Sequence, residues 1–158
     1  MFRIGFGFDT HKLQEGRDLW LGGIKIPHTK GSLGHSDADV LIHAICDAML
    51  GAASLGDIGT HFPDTSSEFK DIDSKILLRR TAELITGKGY TLGNLDTTVV
   101  IQSPRISSYV PDIVRTLAEV LNTDESRISV KAKTSEKLGF IGREEGVSAY
   151  AIVLLLHS

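Results

Sequence analysis

Large apolar residues alternate with small or polar residues over the first nine positions of the chain. This period of two predicts a β-strand over residues 2–9. Residues 12–18 are polar and predict a turn, and residues 19–26 return to an extended pattern that Pro27 ends. The N-terminal part of the chain is therefore predicted to contribute strands to a sheet.

Apolar residues spaced three and four positions apart predict three helices in the middle of the chain. The first is predicted over about 37–53, with Ser36 as its N-cap. The second is predicted to open at Asp71 or Asp73 and to end at a pair of glycines. The third is predicted over about 110–121, with a proline in its first turn.

Three further extended stretches complete the predicted sheet. Residues 92–102, with β-branched residues at 97–101, predict one strand, and residues 127–133 predict another. Residues 146–156 are apolar almost throughout, which predicts a last strand with both faces covered. Residues 51–67 contain glycines and a proline and predict an irregular loop, either a binding loop or a plain surface loop. Strands at both ends with helices between them predict an α+β fold, in which a β-sheet packs against three helices on one face of a single domain over residues 1–158.

Composition and charge exclude several classes of function. A net charge of −3 and the absence of a long basic run argue against binding to nucleic acid or to an anionic membrane. The single cysteine, Cys46, excludes an internal disulfide, and its apolar surroundings predict a buried side chain. The longest apolar run, residues 149–156, is too short to cross a bilayer, and the N-terminus lacks the pattern of a signal peptide. A cytoplasmic location is the expectation.

Asp9, His11 and His43 offer a carboxylate and two imidazoles, which is a ligand set suited to zinc. Asp9 and His11 lie two residues apart at the end of the first strand, so their side chains are expected on one face. His43 lies off the apolar stripe of the first helix, beside Asp39 and Asp47, whose carboxylates could orient its second ring nitrogen. Taken alone, His43 also fits a solvated polar face. Three protein ligands would leave a fourth position open, as in catalytic sites.

Other glycine-rich and catalytic motifs do not fit the chain. The Gly5-x-Gly7 stretch lacks the third glycine of a dinucleotide fingerprint, no phosphate-binding Gly-Lys-Ser/Thr loop is present, and no nucleophile elbow is present. Metal chemistry on phosphates remains. The hydroxyls and cations of residues 133–137 could receive a phosphate, and Glu136 could hold Mg²⁺, although a solvated turn fits this segment equally well.

Four motifs together resemble the 2-C-methyl-D-erythritol 2,4-cyclodiphosphate synthase family of the non-mevalonate isoprenoid pathway, over essentially all 158 residues. They are Gly-Phe-Gly-Phe-Asp-Thr-His, His-Ser-Asp-Ala-Asp-Val-Leu-Ile-His, Gly-Asp-Ile-Gly-x-x-Phe-Pro-Asp-Thr and Glu-Lys-Leu-Gly-Phe-x-Gly-Arg. The resemblance implies a homotrimer with active sites between neighbouring subunits. It implies a phosphorus–oxygen lyase that converts 4-diphosphocytidyl-2-C-methyl-D-erythritol 2-phosphate to the cyclic diphosphate and releases CMP.

The resemblance also implies a role for residues of each motif. Asp9, His11 and His43 would bind Zn²⁺, with a substrate phosphate as fourth ligand, and Glu136 would help to hold Mg²⁺ or Mn²⁺. His35 and Thr134 would assist the transition state, and Ser36 would contact the substrate. The methylerythritol part would contact Asp57, Ile58, Gly59, Phe62, Pro63, Asp64, Thr65 and Ser66. The phosphates would contact Lys133, Thr134, Ser135 and Glu136.

The remaining implied contacts involve the subunit interface. The cytidine would bind the adjacent subunit, largely through backbone groups of Ile101, Gln102, Ser103, Pro104, Arg105, Ile106 and Ser107. Phe8, Phe140 and Arg143 would line an axial cavity that holds an isoprenoid diphosphate in some family members.

The chain departs from the family pattern at a few positions. Arg105 stands where lysine is expected, and Lys133 and Ser135 flank Thr134 where threonines are more common, so the roles of these side chains stay open. Thr60 and His61 have no assigned counterpart. Two other functions remain as alternatives to cyclisation: a zinc-dependent hydrolase of nucleoside diphosphates, and a non-catalytic trimer that binds an isoprenoid diphosphate or a cytidine nucleotide.

Overall fold

The computed structural model describes residues 1–158 as seven strands and five helices. In chain order these are β1 (Phe2–Glu15), β2 (Leu19–Leu21), β3 (Ile24–Ile26), β4 (Lys30–Ser32), α1 (Val40–Ala52), α2 (Ile58–His61), α3 (Ser74–Gly87), β5 (Tyr90–Val100), α4 (Val110–Leu121), β6 (Ile128–Lys133), α5 (Gly139–Gly142) and β7 (Gly146–His157). Single 3₁₀ turns lie at Ser67–Phe69, Ser107–Tyr109 and Glu125–Arg127. No helix has the length and hydrophobicity needed to span a bilayer.

Five of the strands form one mixed sheet in the order β4-β1-β7-β5-β6. The long strands β1 and β7 pair antiparallel along most of their length, and Asp9 and His11 lie opposite Ala149 and Val147. Strands β5 and β6 run parallel, while β2 and β3 form a separate hairpin. At Asp9 and His11 the strand β1 is therefore paired with β7 on one side, whereas β4 pairs with β1 only at residues 13–15.

Helices α1, α3 and α4 cover one face of this sheet, which confirms the predicted α+β architecture. Helix α1 lies directly on β1 and β7, and α3 packs on its outer side, so α1 is buried on nearly all sides. Cys46 is fully buried within it, as predicted, and burial raises the pKa of its thiol to about 12. A thiol with that pKa stays protonated at neutral pH and is a poor nucleophile.

Strand β1 approaches α1 closely because two of its residues are glycines. A Cβ atom added to Gly5 would lie 1.8 Å from the carbonyl oxygen of Ala48, and one added to Gly7 would lie 1.9 Å from that of Ala44. The face of β1 that carries these glycines also carries Asp9 and His11, since side chains two apart point the same way. The close approach therefore brings Asp9 and His11 towards α1.

The opposite face of the sheet is apolar and exposed. Phe2, Ile4 and Phe6 expose 62%, 63% and 62% of their surface, and Ile152 of β7 exposes 50%. The prediction that both faces of the last strand are covered is therefore wrong for a single chain. Its apolar residues divide between the core and this exposed face.

Several predicted elements have different bounds in the structure. The predicted turn over 12–18 is wrong at its start, because β1 continues to Glu15 by pairing with β4. Ser36 is not the N-cap of α1: the helix begins at Val40, and Asp39 accepts the Ile42 amide at 3.0 Å.

Two further stretches differ from prediction, and the second and third helices agree with it. The extended stretch 19–26 is divided by a turn at two glycines, and a one-turn helix, α2, interrupts the predicted loop 51–67. The N-cap of α3 is Asp73, one of the two residues proposed from the sequence, and α4 has its predicted bounds.

Candidate metal centre

Three potential metal ligands meet where β1 passes the first turn of α1. The Nε2 atom of His11 lies 2.9 Å from Oδ2 of Asp9, and the Nδ1 atom of His43 lies 3.1 Å from the same oxygen. The two ring nitrogens are 3.0 Å apart. The structure thus confirms that the three side chains selected from the sequence come together.

The arrangement of these atoms fits a metal ion. In tetrahedral zinc sites, metal–ligand bonds of about 2.0–2.1 Å place neighbouring ligand atoms about 3.3 Å apart. The separations of 2.9, 3.0 and 3.1 Å lie slightly below that value. The side chains of Asp9, His11 and His43 expose 27%, 18% and 13% of their surface, so an ion bound by them would remain open to a further ligand. Asp9, His11 and His43 could therefore hold a metal ion.

The charges of the three groups depend on one another. Burial opposes ionisation of Asp9, but hydrogen bonds from His11 and His43 outweigh burial and hold the pKa of this carboxyl well below its usual range. Burial also lowers the pKa of His43, but its hydrogen bond to Asp9 and the charge of that carboxylate outweigh the effect and raise the pKa. The site therefore favours an anion at Asp9 and a compensating positive charge between the ligands, which a proton or a metal ion can supply.

Two serine hydroxyls face the second ring nitrogen of His43, and this contact differs from prediction. Its Nε2 atom lies 3.1 Å from the Oγ atoms of both Ser36 and Ser74. The expected carboxylates are engaged elsewhere: Asp39 accepts the amides of Gly22, Gly23 and Ile42. Asp47 accepts the amide of Ile58 at 2.7 Å. The interpretation that Asp39 or Asp47 orients His43 is therefore wrong.

A cavity of about 440 Å³ opens in front of the three ligands. Its lining includes most residues predicted for the metal and methylerythritol sites: Asp9, His11, His35, Ser36, His43, Ile58, Gly59, Phe62, Pro63, Asp64 and Thr65. Gly34, Phe69 and Leu77 also line it. Sequence reasoning missed Phe69 and Leu77, because apolar residues near a helix are typical of core positions. The start of α2 and the residues that follow this helix therefore form one wall of the candidate site.

The predicted residues at the edge of this cavity are held by local hydrogen bonds. The ring of His35 donates from Nε2 to the carbonyl oxygen of Ser66 at 2.9 Å, which ties the predicted catalytic histidine to the loop. Asp57 does not line the cavity. It caps α2 and accepts the Thr60 amide at 2.9 Å and the Thr60 hydroxyl at 2.8 Å, and these bonds lower the pKa of its carboxyl.

The other half of the predicted site lies outside this cavity in the single chain. The two segments 101–107 and 133–136 do not line it, but they contact one another: the Ile101 amide donates to the Lys133 carbonyl at 2.9 Å, and the Lys137 amide donates to Gln102 Oε1 at 3.0 Å. Thr134 and Glu136 are exposed beside these bonds. The predicted cytidine and phosphate segments therefore form a second unit, separate from the metal ligands.

The second unit has two features that bear on binding. Ile101 and Ile106 are each only 2% exposed, so their side chains belong to the core and are not available to a ligand. Glu136 and Lys137 have φ angles of 54° and 63°, a left-handed conformation that is unfavourable for residues with a side chain. Strained residues of this kind concentrate at functional sites.

Phe140 and Arg143 do not line the metal cavity. Phe140 lies against Gly146 and lines a second cavity of about 420 Å³, whose lining also includes Thr10, Lys12 and the metal ligand His11. Arg143 is exposed, and its Nε atom donates to Glu145 at 2.7 Å, so an anionic ligand would compete with this carboxylate.

Comparison with known proteins relates the whole chain to one family. The model of the YgbB family matches residues 2–156. A protein from Parabacteroides distasonis named 2-C-methyl-D-erythritol 2,4-cyclodiphosphate synthase is 63% identical over 153 residues, which are 97% of this chain and 95% of that protein. A protein of the same name from Bacteroides fragilis is 61% identical, again over 97% of this chain and 96% of that protein.

Solved structures with the same fold agree with this relation. The bifunctional IspDF from Campylobacter jejuni is 44% identical with a TM-score of 0.96, and the match covers 100% of this chain and 43% of that longer protein. The CDP complex of IspF from Plasmodium falciparum is 43% identical with a TM-score of 0.87, over 99% of this chain and 97% of that one.

Proposed function

Because the chain belongs to the YgbB family, we propose that it cyclises 4-diphosphocytidyl-2-C-methyl-D-erythritol 2-phosphate to 2-C-methyl-D-erythritol 2,4-cyclodiphosphate and releases CMP. The chain is thus a lyase of isoprenoid precursor biosynthesis. The observation that carries the proposal is the meeting of Asp9, His11 and His43 at a cavity lined by the predicted substrate loop.

The reaction is an intramolecular phosphoryl transfer. An oxygen of the 2-phosphate attacks the β-phosphorus of the diphosphate, and the bond from that phosphorus to the bridging oxygen breaks. The bridging oxygen leaves with the electron pair as part of CMP. Because nucleophile and electrophile belong to one molecule, most of the catalytic task is to hold them in line and to neutralise charge.

Asp9, His11 and His43 hold Zn²⁺ in the proposed enzyme. A bound zinc ion supplies Lewis-acid polarisation of a phosphoryl oxygen. The protein itself supplies the orientation: β1 fixes two ligands and α1 fixes the third. His35 and Ser36 lie beside these three ligands at the cavity wall, where they can contact a phosphate of the substrate.

A hydrogen bond to Ser66 limits how His35 can assist the transition state. Its Nε2–H is already donated to the Ser66 carbonyl, so contact with a phosphate uses Nδ1, which must then be protonated, or needs release of the Ser66 bond. Ile58, Gly59 and residues 62–65 of the substrate loop line the cavity, where they would contact the methylerythritol part. The same hydrogen bond joins His35 to this loop, so a displacement of the loop would also displace the histidine.

The second half of the site is supplied by an adjacent subunit of a homotrimer. Two observations support this assembly. The exposed apolar face that includes Phe2, Ile4, Phe6 and Ile152 is of the kind that marks a protein interface. In addition, the segments 101–107 and 133–136 do not reach the metal cavity of their own chain. Cytidine binds to 101–107 through backbone groups, and the phosphates bind to 133–136.

The product of the reaction tests this function directly. The purified chain is incubated with the cytidylyl substrate, Zn²⁺ and Mg²⁺, and products are identified by ³¹P NMR and mass spectrometry. CMP together with a cyclic diphosphate in equal amounts is the expected result. CMP with an open-chain bisphosphate would replace the proposal with hydrolysis, and no turnover would favour a binding protein.

Replacing Glu136 with Gln should raise the Mg²⁺ or Mn²⁺ concentration needed for half-maximal turnover by about 10-fold or more, since a hard cation prefers a carboxylate to an amide. Turnover is measured across a titration of each cation. The zinc content should stay that of the unsubstituted chain, because Glu136 lies outside the cavity of Asp9, His11 and His43. An unchanged cation requirement would remove Glu136 from the second metal site.

A mixture of two inactive variants should recover part of the activity if active sites are shared between subunits. One variant carries His43→Ala and the other Thr134→Ala, and the two chains are co-expressed and purified together. Mixed trimers then contain some sites with both halves intact. Light scattering should give three times the chain mass of 17.1 kDa. A trimer without recovered activity would place both halves in one chain, and a monomer would contradict the assembly.

A further inference from the structure

The ring of His43 is held on both sides, and only one side faces the proposed metal. Its Nδ1 atom lies 3.1 Å from Asp9 Oδ2 and 3.0 Å from His11 Nε2. Its Nε2 atom lies 3.1 Å from the hydroxyls of Ser36 and Ser74. A neutral imidazole carries one proton, and only the nitrogen without it can bind a metal. The partners of Nε2 therefore decide whether His43 is ready to act as a ligand.

The hydroxyl proton of Ser74 is donated to a carboxylate and is not available to His43. Its hydroxyl donates to Oδ1 of Asp37 in a short hydrogen bond, and its backbone amide donates to Oδ2 of the same residue at 3.0 Å. A hydroxyl has one proton to give, so Ser74 Oγ can only accept from His43. The Ser36 hydroxyl also accepts a bond, from the Ala38 amide at 3.1 Å.

The hydrogen bonds at Nε2 have one consistent arrangement. His43 carries a proton on Nε2 and donates it towards the two serine hydroxyls. Nδ1 faces Asp9 and His11, where a metal ion would replace the proton that Nδ1 otherwise donates to Asp9. Ser74 is fully buried, so bulk water does not compete for its bond with Nε2. Asp37 polarises the Ser74 hydroxyl by accepting its proton. The polarised oxygen is a better acceptor for the Nε2 proton of His43, and this stronger hydrogen bond makes Nδ1 more basic.

We propose that Asp37 and Ser74 are positioning residues that fix His43 in its Nε2–H form and thereby set the affinity of the metal site. The proposal rests on the proposed function of Asp9, His11 and His43 as metal ligands. The same hydrogen bonds connect the metal site to α3. Ser74 is the first residue of that helix, and the Asp37 amide bonds to Ile72 just before it. Sequence reasoning assigned neither residue a role at the metal site.

The test compares Ser74→Ala with the unsubstituted full-length chain. The substitution removes the hydroxyl but keeps the backbone bond to Asp37, and alanine suits the first turn of a helix. Zn²⁺ is titrated into the metal-free protein against a competing chromophoric chelator. We expect the affinity for Zn²⁺ to fall about 10- to 100-fold, as is usual when the partner of a metal-binding histidine is removed.

A matched control separates this effect from the loss of any buried serine. Ser32 is only 1% exposed, and its hydroxyl has no hydrogen-bond partner. Ser32→Ala should leave Zn²⁺ affinity unchanged. Asp37→Asn serves as a second variant: its amide oxygen can still accept the Ser74 proton, so the expected loss is smaller than that of Ser74→Ala. Thermal unfolding of each variant shows whether it is folded.

The second readout needs no metal. The ¹⁵N chemical shifts of the His43 ring distinguish the two neutral forms from each other and from the doubly protonated ring. At a pH high enough for the ring to be neutral, the metal-free chain should show the Nε2–H form, with a mixed population in Ser74→Ala. Equal Zn²⁺ affinity and the same ring form in both proteins would overturn the inference while leaving the metal site intact. If the unsubstituted chain binds no Zn²⁺, the proposed metal site fails, and the ring form still decides whether Ser74 positions His43.

Discussion

Replacement of His43 by Ala should abolish turnover and lower the zinc content of the purified protein to near zero. Two remaining protein ligands, Asp9 and His11, make a weak site, because structural and catalytic zinc sites use at least three. Loss of the ion removes several kcal/mol of charge stabilisation from the transition state, which corresponds to a decrease in kcat of at least about 10³-fold. Zinc is measured by mass spectrometry of metals and turnover by CMP release.

A second histidine provides the control for this variant. His28 is half-buried and makes no hydrogen bond or ion pair with its side chain, and it lies outside the metal cavity. His28→Ala should keep full zinc content and rate. Removal of zinc from the unsubstituted chain with a chelator should reproduce the loss of activity, and added Zn²⁺ should restore it. Full zinc occupancy with a normal rate in His43→Ala would exclude this histidine as a ligand.

The metal ligands could be found from the sequence because the pattern that encodes the strand also encodes their orientation. Alternation over residues 2–9 predicts that Asp9 and His11 point to one face, and the structure confirms it. Their meeting with His43 could not be derived from spacing, since it depends on the packing of α1 on β1. The resemblance to a family implied that contact, and the structure places the ring nitrogens of His11 and His43 3.0 Å apart.

The hydrogen bonds around the ligands were beyond sequence reasoning because they join distant segments. Asp39 looked like a partner for His43 from helical spacing, but the β2–β3 hairpin brings the amides of Gly22 and Gly23 to its carboxylate. Ser74 lies 31 residues from His43 and shows no pattern that marks it. Contacts of this kind follow from tertiary packing, whereas helical spacing reports only neighbours on the same helix.

The ends of β1 and β7 illustrate a similar limit at the level of the fold. Residues 12–18 are mostly polar and predict a turn, yet residues 13–15 form strand because β4 supplies hydrogen bonds. Hydrophobicity predicted that β7 is covered on both faces, but the cover on one face is absent within the single chain. An apolar strand specifies that its faces need a partner and does not specify which chain provides it.

The sequence also could not indicate how tightly β1 and α1 must pack for the metal ligands to meet. Gly7 lies two residues before Asp9 on the same face, and the helix backbone at Ala44 occupies the space where its side chain would be. In Gly7→Ala the new Cβ would lie 1.9 Å from the Ala44 carbonyl oxygen, so β1 and α1 have to separate. Neither backbone can move aside alone, because β1 is paired with β7 and α1 is packed against α3.

Gly7→Ala should therefore destabilise the protein by about 3 kcal/mol or more, the upper end of the range for overpacked cores. For a chain of this size, that corresponds to a fall in Tm of roughly 6–12 °C.

Gly51 provides the matched control: it lies in α1, and an added Cβ there meets no atom within 4 Å. Gly51→Ala should leave Tm unchanged or raise it, since alanine is favoured over glycine in a helix by about 0.5–1 kcal/mol. In the folded fraction of Gly7→Ala, Zn²⁺ affinity should also fall, because separation of β1 from α1 moves Asp9 and His11 away from His43. Equal stability of the two variants would mean that the strand and helix can adjust, and that glycine at this position does not set the geometry of the metal site.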